Sequence, residues 1–111
     1  MNKRFIQHGL WSNFGARNRR TNKYIPIPLK LRELLQKKAD KFGLDVVEFT
    51  YGTIPELFLS VIAIVHPLDH FCRRVGYKIT TERLDWAERM VKEGYNINHK
   101  SWAYVLTEDG T

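Results

Sequence analysis

The longest apolar stretch runs from Leu57 to Val65 (LFLSVIAIV), where Ser60 is the single polar side chain. Val61, Ile62, Ile64 and Val65 are β-branched, so the run predicts a strand buried on both faces. His66 and Pro67 end it, because proline has no N–H to give to a ladder. Before it, Leu44 to Tyr51 (LDVVEFTY) alternates in part and predicts a second strand ending at Gly52. Gly52-Thr53-Ile54-Pro55 has the composition of a turn, which would fold the two strands into an antiparallel hairpin.

Elsewhere the period changes. Leu31, Leu34, Leu35, Ala39 and Phe42 recur at helical spacing between Pro28, suited to a first turn, and Gly43, suited to a C-cap. A helix over about Leu29 to Phe42 follows, with Lys37, Lys38 and Lys41 on its solvated side. After Pro67, Leu68, Phe71, Cys72, Val75 and Ile79 form one helical face, and Leu84, Ala87, Met90 and Val91 form another. These predict a largely continuous helix, capped by Asp69 and locally irregular near Gly76, where the chain either breaks or lets another backbone approach. Ser101 to Leu106 (SWAYVL) predicts a last strand with Trp102, Tyr104 and Leu106 on one face, before a frayed tail from Thr107 to Thr111.

The first 23 residues mix Lys and Arg with Phe5, Ile6, Leu10, Trp11 and Phe14. They read as a basic N-terminal arm whose first part is an edge strand or docks on the domain, and whose part from Asn13 to Lys23 is a flexible basic loop. Tyr24 to Pro28 (YIPIP) is too rich in proline for a central strand and predicts an extended edge segment. Residues 24–111 then form one α+β domain, an antiparallel sheet of about three to five strands packed by two or three helices. A chain of 111 residues suits that size and leaves little room for an enclosed active site. No apolar run approaches the roughly 20 residues that span a bilayer, and no signal-like segment opens the chain. One cysteine excludes an intrachain disulfide and fits a reducing compartment, so a cytoplasmic protein without membrane contact is expected.

Charge sharpens the picture. Residues 1–32 hold eight Lys or Arg and no acid, while the rest hold ten basic and twelve acidic residues. The net charge of +6 therefore comes from the first third, an asymmetry that points to a polyanionic partner. Lys3, Arg4, Arg17, Arg19, Arg20 and Lys23 beside Trp11 and Phe14 suit phosphate contacts combined with stacking. Arg73 and Arg74 point about 100° apart on a helix, so at least one is free to extend that surface.

Other chemistry is thinner. His66, His70 and Cys72, with the distant His99, carry zinc-binding groups, but their spacing fits no closed structural site, so no metal or cofactor is implied. His66, Asp69 and His70 supply groups for acid–base hydrolysis or nuclease chemistry, with an arginine to steady an anion. No nucleophile elbow, Walker A loop or HExxH accompanies them, and an enzyme is not the expected reading. A helix-turn-helix over residues 72–83 fails at Glu82, where a recognition helix needs an apolar anchor.

The segment from Val65 to Ile79 (VHPLDHFCRRVGYKI) resembles a box in short phage-encoded accessory proteins, which reads D-x-F-x-[RK]-x-x-G-x-x-I after an apolar strand. Asp69, Phe71, Arg73, Gly76 and Ile79 carry the match. That family's pattern continues into a glycine–arginine pair, whereas this chain has Thr81, Glu82 and Arg83. The resemblance implies a small non-catalytic phage protein, of host-takeover or anti-defence type, acting on nucleoprotein machinery. The residues and the resemblance together give a binding protein for nucleic acid or a host nucleic-acid-handling complex as the expected function. The alternative is a protein–protein inhibitor of a host defence enzyme, of anti-CRISPR or anti-restriction type. A small hydrolase at His66, Asp69 and His70 ranks third.

Overall fold

The computed structural model describes residues 2–106. Its core is an antiparallel sheet of five strands in the order β2-β1-β3-β4-β5, with two helices, an α+β architecture. The strands are β1 (Phe5–Ser12), β2 (Gly15–Asn18), β3 (Val47–Ile54), β4 (Leu59–Ile64) and β5 (Ala103–Val105). The helices are α1 (Leu29–Phe42) and α2 (Arg73–Lys92).

Strand alternation sorts the sheet into two faces, and each helix takes one. Val47, Phe49 and Tyr51 of β3, with Ile62 of β4, pack against Leu31, Leu35 and Ala39 of α1. Ile54, Leu59, Val61, Ala103 and Val105 point the other way, onto Leu84 and Ala87 of α2. β3 and β4 are thus covered on both sides, which is why β4 reads as an almost unbroken apolar run.

The hairpin of β3 and β4 is antiparallel, from Phe49 opposite Ile64 to Ile54 opposite Leu59. Its turn lies later than composition indicated. β3 runs through Gly52 to Ile54, and the chain reverses in a 3-10 turn at Pro55–Leu57. Gly52 is buried in mid-strand because α2 crosses over it. A Cβ there would lie 2.6 Å from Thr80 Cγ2 and 2.8 Å from Leu84 Cδ1. Gly76 of α2 likewise sits against Thr50 of β3, leaving the helix unbroken.

α2 is continuous over 20 residues but starts at Arg73, with Cys72 as N-cap and no side-chain cap. Asp69 is not the cap. Its N–H donates to the His66 carbonyl (2.8 Å), closing a turn at Pro67, and the chain is extended again by Cys72. Leu68 and Phe71 therefore precede the helix, and Cys72 is exposed instead of packed on an apolar face.

The N-terminal segment also differs from a separate arm. β1 lies between β2 and β3, pairing with β3 from Phe5 opposite Thr53 to Trp11 opposite Val47. Residues expected to form a flexible loop supply β2, which turns back at Asn13 and Phe14 and buries Ala16. Tyr24 bridges to Arg17, and the Ile25 N–H donates to the Ala16 carbonyl, so the YIPIP segment runs along the sheet edge as expected. The expected tail at 107–111 lies outside the described residues.

Lys30 closes the opposite edge. Its ammonium donates to the carbonyls of Asn98 (2.6 Å), Lys100 (2.8 Å) and Ala103 (2.7 Å), and burial lowers its pKa. Lys30→Met keeps the stem but strands those acceptors, and is expected to cost about 2 kcal/mol in a urea denaturation series. An unchanged midpoint would show that water replaces the ammonium without loss.

Candidate nucleic-acid interface

The turn after β2 and the start of α2 meet over β1. Asn18 organises the first of these, its Oδ1 accepting the N–H groups of Arg20 and Thr21 at 2.9 Å each. The Arg19 N–H donates to the His8 carbonyl on β1 (2.9 Å), so the turn is tied to the sheet. From α2, Arg73 and Tyr77 stand one turn apart on the same side of the helix. Between these elements runs an open groove of about 520 Å³, whose lining includes Arg19, Arg20, Arg73, His8, Phe71 and Tyr77.

Its arginines are differently held. The Arg19 guanidinium carbon sits over the Phe71 ring, 4.1 Å from the centroid, and the group pairs with Glu48 at 3.2 Å. This fixes its guanidinium while leaving part of it exposed. Arg20 and Arg73 are exposed. Among the described residues no acidic side chain lines the groove, and α2 has none in its first turn. Arginine forks and the positive end of a helix both favour anions.

His8 forms the floor. Its Nδ1 shares a 2.8 Å hydrogen bond with Thr50 Oγ1, and its ring meets Phe71 edge-on at 5.3 Å between centroids. Burial lowers its pKa, and the positive charges of Arg73 and then Arg19 lower it further. A histidine depressed in the folded state binds fewer protons than in the unfolded chain, so its share of stability is intact above about pH 6.5 and is lost as pH falls below it. Melting temperature is expected to drop between about pH 7 and about pH 5, with His8→Gln flattening that part of the curve. A wild-type curve that rises towards acid would contradict this sign.

The ten basic and aromatic residues singled out from the sequence are not all at one place. Arg19, Arg20 and Arg73 share the groove, and Arg74, its neighbour on α2, is exposed outside the lining. Phe14 (81% exposed) and Arg17 lie at the β1–β2 turn, around a separate hollow of about 340 Å³ that also takes in Val46. Trp11 packs beside the α1-side core and donates Nε1–H to Gln36 Oε1 at 3.0 Å. Lys3 and Lys23 are exposed. Arg4 is engaged, donating to Asp85 (2.6 Å) and Glu88 (2.8 Å) of α2. Glu88, bonded to Lys92 and Arg4, is held below the usual carboxylate range.

Sequence reasoning missed His8, Phe71 and Tyr77. The signal for Tyr77 was its place four residues after Arg73 on the expected helix, but nothing in the sequence shows which side of that helix meets the turn after β2. Of the turn from His66 to Cys72 only Phe71 reaches this groove among the described residues; His66, Asp69 and His70 lie outside its lining. His66 Nδ1 accepts the Leu68 N–H at 3.1 Å, and its ring meets Phe42 at 5.5 Å. Among the described residues, no group of three or more His, Cys, Asp or Glu is placed to hold a metal ion. No described helix is long and apolar enough to cross a membrane. The chain matches no family model, no curated protein and no solved structure.

Proposed function

We propose that this protein is a non-catalytic nucleic-acid-binding module, acting on nucleic acid or a nucleoprotein complex through the groove between the β2 turn and the start of α2. The observation that carries the reading is the convergence of Arg19, Arg20 and Arg73, from two distant parts of the chain, on one concavity that no acidic side chain lines among the described residues. Tyr77 beside them, 55% exposed, supplies a stacking surface. The resemblance of residues 65–79 to phage accessory proteins fits the same reading, with Phe71 and Arg73 inside the box and at the groove.

Affinity then rests on counterion release, so it falls steeply with salt. The test is direct titration of labelled oligonucleotides at low ionic strength. Binding that weakens with added salt is expected. Absence of binding to both DNA and RNA at about 50 mM salt would reject the proposal.

A second reading has its own observation. Phe14 and Leu68, 81% and 87% exposed, are large apolar groups facing solvent, which fits contact with a protein such as a host defence enzyme. Phe14→Asp with Leu68→Asp separates the readings: a protein inhibitor loses its target, whereas the groove keeps its nucleic acid.

A further inference from the structure

From the shape of the groove we infer that its ligand is a single strand, held with its phosphates on Arg19, Arg20 and Arg73 and a base against Tyr77. This rests on the proposed nucleic-acid function and narrows it to one form of the polymer. Tyr77 is 55% exposed, and as the residue one turn after Arg73 it lies beside the arginines. Phe71, by contrast, has Arg19 against its ring and His8 at its edge, so it orients the guanidinium and offers little open ring surface. One aromatic face is thus left beside the phosphate-binding forks, and every base has a π-face to lay on it.

A duplex suits this surface poorly. Its bases are already stacked on one another, so none has a free face to lay on Tyr77. Entry of α2 into a major groove is also disfavoured. The helix's exposed residues include Glu82 and Asp85, like charges to the phosphates. Beyond Tyr77 the exposed Lys78 is followed by a surface of mixed charge, with Glu82, Asp85 and Arg89. Eight residues after Tyr77, about 12 Å along the helix axis, Asp85 and then Glu88 neutralise Arg4. The positive surface is therefore short enough for a few nucleotides.

The test uses fluorescence anisotropy on the full chain with four probes: a short oligo-dT, an oligo-U, a duplex of equal length and inorganic polyphosphate. Both single strands are expected to bind more tightly than the duplex and the polyphosphate. Tyr77→Ala is expected to weaken single strands about tenfold or more while leaving the salt slope unchanged, and Tyr77→Phe to retain binding. Equal affinity for duplex and single strand, or a Tyr77→Ala variant of undiminished affinity, would overturn the single-strand inference while leaving nucleic-acid binding in place. Failure of all four probes to bind would remove both. Circular dichroism of each variant checks that the exposed substitution leaves the fold intact.

Discussion

Replacing Gly52 by valine is expected to lower the melting temperature by about 10 °C or more, the largest stability loss of any single change argued from this fold. The first added atom meets Thr80 Cγ2 at 2.6 Å and Leu84 Cδ1 at 2.8 Å, both on side chains without solvent exposure. Neither neighbour can swing into water, so α2 has to lift from the sheet. Overpacking of this kind costs about 1–3 kcal/mol for a small excess and more for two further methyl groups, against a total stability of about 5–15 kcal/mol. Gly52→Ala should fall in between, and Thr80→Ala in that background should restore part of the loss by clearing one of the two contacts. A Gly52→Val protein that melts within about 2 °C of the wild type would show that the helix does not seat on β3 as described.

Changing Arg19, Arg20 and Arg73 together to alanine is expected to weaken single-strand binding about a hundredfold near 0.1 M salt. Each phosphate contact on a single strand contributes about 0.7 to the slope of log K against log salt, and at that concentration about the same to log K itself. Three contacts therefore remove about two units from both. Arg20 and Arg73 are exposed and can be removed without a stability penalty beyond a few tenths of a kcal/mol. Arg19 also packs on Phe71 and pairs with Glu48, so its variant needs a folding control. Lys37→Ala with Lys38→Ala on α1, remote from the groove in sequence and fold, should change the slope little. A triple variant with wild-type slope and affinity would move the site elsewhere.

Much of this fold was legible in the chain, and the misreadings share a cause. α1 was readable end to end because its stripe, its proline and its αL glycine at Gly43 are all local signals. β4 was readable because burial on both faces leaves an apolar run. Gly52 was misread as a turn because its reason is tertiary: it makes room for a helix some thirty residues later. Asp69 was misread as a cap because its side chain has the right chemistry, yet Phe71 seats against His8 and Arg19 and keeps the chain extended to Cys72.

The candidate site shows the same division. Composition located the positive charge in the first third of the chain, and Arg19 and Arg20 lie there. It offered no means of separating them from Arg4, which is consumed by Asp85 and Glu88 more than eighty residues away. Arg73 was expected to extend their surface, but Tyr77 was not joined to them and Arg74 was not set apart, since that meeting depends on β1 lying inside the sheet beneath the start of α2. The basic N-terminal residues are better understood as two strands plus a turn that delivers two arginines to a third.

The most direct test of the groove as the binding surface is a map of amide chemical shifts as a short oligo-dT is added to isotopically labelled protein. The predicted shifts cluster on His8, Asn18, Arg19, Arg20, Phe71, Arg73 and Tyr77, and collapse back as salt is raised. Shifts confined to Lys37, Lys38 and Lys41 of α1, or spread evenly over all exposed lysines and arginines, would contradict the account.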